Sequence, residues 1–122
     1  MGMDLPFVIH AHSGYGPLHY DLMLRQAEAL ATWQLSSWPA DLSVGDEVSA
    51  RKLPDHRLTF LSYEGPISGK RGEVEMVDHG QYRLISRTPL RWEVVFHGTA
   101  LTGRWTLTRP AETEDTWILV RL

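Results

Sequence analysis

The chain contains no cysteine among its 122 residues. It therefore has no disulfide staple, no thiolate nucleophile and no thiolate metal site. Any metal must be held by histidine, aspartate or glutamate, and a cytoplasmic location is the expected default. Long apolar runs are also missing, and nothing approaches the roughly 20 residues that span a bilayer. The opening MGMDLPFVIH lacks a basic segment and cleavage-like small residues, and no Ser or Thr stands where an acylation signal after Gly2 would need one. Neither a signal peptide nor a lipid anchor is expected. There is no excess of positive charge: 12 Lys and Arg face 15 Asp and Glu, a net charge of −3. That balance argues against indiscriminate coating of nucleic acid. The chain shows no internal repeat, low-complexity tract or linker.

What is present is a packed core written in strands. A hydrophobic fraction of 43% with five tryptophans is enough for one globular domain, residues 1–122, with residues 1–6 as a tail. "LPFVIHAH" alternates from Phe7, placing Phe7, Ile9 and Ala11 on one face and Val8, His10 and His12 on the other. "LHYDLML" sets His19, Asp21 and Met23 opposite Tyr20, Leu22 and Leu24. "RLTFLSYEG", "GEVEMVDHGQYRLISR", "RWEVVFHG", "TGRWTLTR" and "TWILVRL" are short and rich in β-branched and aromatic residues. "DHG" and "HGTALTG" read as turns, "RQAEALATW" as a helical turn or a strand running into a loop, and "SSWPADLSVGDE" as a loop with a one-turn helix. The expected fold is mostly β, a compact antiparallel barrel (a strongly bent sandwich being the near alternative) with short helical segments. The five tryptophans are expected in its core. Five arginines, Arg83, Arg87, Arg91, Arg104 and Arg109, face one carboxylate, Glu93, between Tyr82 and Arg109. They read as solvated strand positions before they read as a phosphate-facing surface.

The chemistry concentrates in "VIHAHSGYGPLHYDLML", residues 8–24. On a strand, residues i and i+2 share a face, so His19 and Asp21 project together. The loop "SGYGP" can fold His12 back against them. Two imidazoles and one carboxylate suit Mn²⁺, Fe²⁺ or Zn²⁺, whereas Mg²⁺ or Ca²⁺ would call for oxygens alone. Such a trio leaves coordination positions open for substrate or water. A hydrogen-bonded His-x-Asp pair on ordinary strands is the competing reading, and spacing leaves both open.

The order of these pieces, "FVIHAH", "LHYDLML", "DHRLTFLSYEG", "GEVEMVDHGQYRL" and "FHGTALTGRWTLTR" with "WILVRL", resembles the 3′-phosphoesterase domain of bacterial DNA ligase D from about Phe7 to Leu122. The resemblance implies a β-barrel that uses Mn²⁺ to remove a phosphate or a terminal ribonucleoside from DNA 3′ ends during repair. Carried over by position, it implies His12, His19 and Asp21 as metal ligands. His56, in "PDHRL", would contact the scissile phosphate as the catalytic histidine. It implies nucleic-acid 3′ ends as partners, and separate DNA-repair proteins beside a free-standing domain.

The departures from that family lie on its phosphate clamp. Met23 stands where the family has arginine, Phe60 where it has tyrosine, Ser37 where it has lysine and Pro54 where it has glutamate. The loop between His12 and His19 is one residue longer, with Pro17 at an arginine position. Arg25 shares a strand face with Asp21, and Arg51 and Lys52 stand just ahead of His56; these three are the expected replacement phosphate ligands. His10, His79 and His97 read as structural, and Tyr15 as a substrate-contacting loop residue. Three functions stay open: a metal-dependent 3′-end phosphoesterase, a catalytically degenerate module that binds phosphorylated ends or a protein partner, and a phosphoesterase for a small phosphate ester.

Overall fold

The computed structural model describes residues 4–122. Its strands are β1 (Asp4–Ser13), β2 (His19–Gln26), β3 (Ala29–Leu35), β4 (Glu47–His56), β5 (Gly65–Pro66), β6 (Glu73–Thr88), β7 (Arg91–Gly98), β8 (Thr102–Thr108) and β9 (Thr116–Arg121). They hydrogen-bond in the order β1-β2-β3-β4-β9-β8-β7-β6, and β1 pairs in turn with β6, which closes an eight-stranded antiparallel barrel. The two-residue β5 pairs with the start of β6. Of the expected tail, Asp4 to Pro6 already belong to β1, while residues 1–3 lie outside the described residues. Among the described residues no helix is long and apolar enough to cross a membrane.

Period-two alternation decides what fills the barrel. Phe7 and Ile9 of β1 and Leu22 and Leu24 of β2 point inward, joining Trp33, Tyr82, Phe96, Trp105 and Trp117 in one buried cluster. Trp33 stands edge-on to Trp92 at 5.1 Å and to Trp117 at 5.7 Å. Lys52, Arg87 and Arg109 lie over the rings of Trp33, Trp92 and Trp117 respectively. Trp33, Trp92, Trp105 and Trp117 are therefore core, as read from their neighbours, while Trp38 packs half-buried against it. The arginine run is engaged within the fold: Arg83 pairs with Asp4, and Arg91 and Arg104 both pair with Glu93.

The outward residues of β1 and β2 are not all wet. Val8, Met23 and Leu30 form a second buried cluster on the outside of the barrel, covered by Leu58, Phe60, Leu61 and Met76. The chain after β4 folds back over this wall through a 3₁₀ turn, Leu58–Leu61. Glu64 Oε2 anchors it by accepting the backbone N–H of Met76 at 2.8 Å. This overlay is the local feature that turns a barrel wall into a cavity.

Several local expectations are corrected. "RLTFLSYEG" is that 3₁₀ turn and covering segment rather than a strand. Gln26 pairs with Ala29, so "RQAEALATW" is a tight hairpin, with Ala27 at φ +50°. Its Ala and Gln residues favour helix intrinsically, and sheet pairing overrides that weak preference. "SSWPADLSVGDE" contains turns but no helix. "DHG" lies within the 16-residue β6 rather than at a turn. A Cβ on Gly80 would sit 2.2 Å from the His97 carbonyl oxygen, so this glycine permits close strand approach.

Candidate metal centre

In the β1–β2 ladder His12 pairs directly with His19, and His10 with Asp21. Alternation places His12, Asp21 and Met23 on the outer wall, beneath the covering segment. The imidazoles of His12 and His19 have ring centroids 4.7 Å apart, and Asp21 is buried between them at 4% exposure. His12 Nδ1 lies 3.3 Å from Asp21 Oδ2, and His19 Nε2 lies 3.5 Å from Asp21 Oδ1. Ligating atoms of all three residues fall within 4.8 Å of one another.

The far nitrogen of each ring is fixed by the backbone. His12 Nε2–H donates to the Arg71 carbonyl at 2.7 Å, and His19 Nδ1–H donates to the Pro17 carbonyl at 3.1 Å. A carbonyl oxygen can only accept, so each of these nitrogens must carry a proton. In the neutral imidazoles, the lone pairs then lie on His12 Nδ1 and His19 Nε2, both turned toward Asp21. Among the described residues Asp21 Oδ1 is buried with no hydrogen-bond partner, which is costly for a charged oxygen unless something positive meets it. Ligand atoms about 2.1 Å from one ion and roughly 100° apart are separated by about 3.2 Å. The 3.3 and 3.5 Å separations from Asp21 lie near that spacing, and the donor set fits a mid-series divalent ion. Imidazoles that donate their second N–H to a carbonyl are the usual arrangement around bound metals.

A cavity of about 660 Å³ opens over these groups, lined by His12, His19 and Asp21 and also by His56. His56 Nδ1–H donates to the Pro54 carbonyl at 3.0 Å, which leaves Nε2 as its free nitrogen. Its ring stands edge-on to Phe60 at 5.6 Å. Tyr15, in the loop between β1 and β2, stacks on His12 and is 55% exposed. His10 also lines the cavity but is 1% exposed, with Nε2 unpartnered. Burial pushes its pKa below the ordinary histidine value, outweighing the opposing pull of Asp21. His79 and His97 do not line the cavity.

The structure thus brings His12, His19, Asp21 and His56 together. It does not bring Arg25, Arg51 or Lys52 into the cavity wall. Arg25 Nε donates to the Ala27 carbonyl in the β2–β3 turn. Arg51 is exposed and pairs in register with Gln34. Lys52 Nζ donates to the Leu53 carbonyl and sits 3.6 Å from Asp55, and burial lowers its pKa first among the causes. The arginines lining the cavity are instead Arg57 and Arg71. Both belong to the covering segment, where strand alternation carries no information. The one signal was the glycine-flanked "GKRG" ahead of β6, a turn in which Gly69, Lys70 and Gly72 all take positive φ.

Comparison with known proteins is consistent with this geometry. A family model described as the DNA Ligase D 3′-phosphoesterase domain matches residues 9–109, which include all four of these side chains. No curated protein matches the chain.

Proposed function

The chain belongs to the DNA ligase D 3′-phosphoesterase family, and from that premise we propose that it is a metal-dependent phosphoesterase of nucleic-acid 3′ ends. It removes a 3′-phosphate or a terminal ribonucleoside in DNA repair, acting with other repair activities. The observation that carries this reading is the partnerless, buried Asp21 Oδ1 facing two imidazoles whose far nitrogens are already fixed.

His12, His19 and Asp21 would hold the ion, Mn²⁺ by preference and Zn²⁺ or Fe²⁺ by the same donor chemistry. Bound there, a divalent ion supplies Lewis-acid polarisation of a phosphoryl oxygen and lowers the pKa of a water. The chain's own residues do the rest. The Arg71 and Pro17 carbonyls keep the two ligand histidines in one tautomer. The covering segment walls the site on one side and narrows its access to water. In its imidazolium form, His56, held through Nδ1–H, presents Nε2–H as the group that gives a proton or a hydrogen bond to the leaving oxygen. Tyr15 offers an exposed ring to the terminal nucleoside.

A second reading has its own observation. Met23 and Phe60 give the cavity apolar wall where the resembled family carries a cation and a phenol, which favours binding without turnover. Phosphate release from a 3′-phosphorylated primer–template, with Mn²⁺ and with chelator, separates the two. Metal-dependent release that disappears in His19→Ala supports the enzyme. Retained binding of the phosphorylated end without release supports the binding module.

A further inference from the structure

The cavity lacks a cation on the barrel wall, yet one stands on the opposite side, next to the ligands. We propose that Arg71 grips the 3′-terminal phosphate of the substrate and replaces the clamp that Met23 cannot supply. This rests on the phosphoesterase reading and names the group that recognises the phosphorylated end.

Arg71 lines the cavity with His12, His19 and Asp21. Its place beside them is fixed, because its own carbonyl accepts from His12 Nε2 at 2.7 Å. The side chain is braced rather than loose. Nε donates to the Ser68 carbonyl at 2.7 Å, and Nη2 reaches Ser68 Oγ at 3.3 Å. Those bonds use the Nε–Nη2 edge of the guanidinium. Among the described residues the Nη1–Nη2 edge makes no further hydrogen bond, and that edge can meet two oxygens of a phosphate side by side. Among the described residues no carboxylate lies within ion-pair distance of Arg71. A braced cation with an open fork beside a carboxylate-bearing metal centre fits a phosphomonoester dianion, which both groups can share.

The side chain and the carbonyl of Arg71 can be separated experimentally. Arg71→Ala removes the fork and keeps the backbone oxygen that orients His12. The first readout is equilibrium binding of fluorescent oligonucleotides ending in 3′-phosphate or 3′-hydroxyl, measured in chelator. The wild type should prefer the phosphorylated end, and Arg71→Ala should lose that preference, by on the order of ten- to a hundred-fold. Arg71→Lys, which keeps the charge without the fork, should fall between. Calorimetric Mn²⁺ affinity should stay within about two-fold in both variants, since a charge contact to substrate is not a ligand contact. Equal preference in wild type and Arg71→Ala would overturn the assignment and leave the phosphoesterase reading standing. A wild type indifferent to the 3′-phosphate in chelator would also overturn the assignment, whereas absence of Mn²⁺-dependent phosphate release is what would overturn the phosphoesterase reading. Loss of preference together with Mn²⁺ affinity would make Arg71 a structural support of His12, and would also overturn the assignment.

Discussion

Gly72 connects backbone geometry to metal affinity, and Gly72→Ala makes the link measurable. The residue has φ +76°, and a Cβ there would lie 2.0 Å from the Ser13 carbonyl oxygen at the end of β1. The backbone conformation alone costs roughly 1–2 kcal/mol for an L-residue. The contact is backbone to backbone, so β1 and the start of β6 must move apart. The peptide that must move joins Arg71 to Gly72, and it carries the oxygen that accepts from His12 Nε2. A shift of about 1 Å stretches that 2.7 Å bond beyond hydrogen-bond reach. Losing such a partner behind a metal-ligating histidine typically costs 10- to 100-fold in metal affinity, about 1.4–2.8 kcal/mol. Calorimetric Mn²⁺ titration and a thermal melt read the two effects separately. Gly45→Ala is the matched control, because Gly45 also has positive φ (+90°) but nothing within 4 Å of its Cβ. It should lower stability without touching metal affinity. A folded Gly72→Ala protein that binds Mn²⁺ as the wild type does would refute the reasoning.

Other consequences can be tested alongside. His56→Ala should lower kcat for 3′-phosphate release by roughly 10²–10⁴-fold while Mn²⁺ affinity stays unchanged, because it removes a proton donor and no ligand. Asp78 is 3% exposed and accepts the backbone N–H groups of Thr99, Ala100 and Leu101 in the β7–β8 turn. Asp78→Ala should therefore cost roughly 3 kcal/mol or more in urea unfolding. Burial raises the Tyr82 pKa above the usual tyrosine value of 10.0, against smaller opposing effects from Gln26 and Arg87. Its neutral phenol contributes stability that is fully present below that value and is lost as pH rises through the shifted one. Tyr82→Phe should be less stable by about 1 kcal/mol at neutral pH, having lost its bond to the Arg25 carbonyl, and its stability should lack that alkaline decline.

The strand alternation of residues 7–12 and 19–24 was legible because one face of each strand fills the barrel. That alternation set His19 and Asp21 on one face, and the "SGYGP" loop was the feature that could fold His12 back against them. Barrel closure was not written there: it depends on β1 meeting β6 across about seventy residues, and no local pattern carries that pairing. The cavity was half legible. Its floor comes from the wall strands, but its roof comes from Arg57 to Gly72, a segment held by side-chain anchors such as Glu64 to Met76 N–H. Strand positions along β2 and β4 therefore point to Arg25, Arg51 and Lys52 as replacement cations, none of which lines the cavity. The arginines that do are on the roof. "DHG" misled for a related reason: Gly80 serves the close approach of β6 and β7, and a single chain segment cannot display its neighbour.

The central claim is that His12, His19 and Asp21 form one site for a divalent ion. Titration of Mn²⁺ into the metal-free protein, followed by the loss of the free ion's paramagnetic resonance signal, tests it most directly. One ion should bind per chain, with binding abolished in Asp21→Asn and in His19→Ala while both variants keep the wild-type fold by circular dichroism. Absence of binding in the wild type, or binding that survives both substitutions, would contradict it.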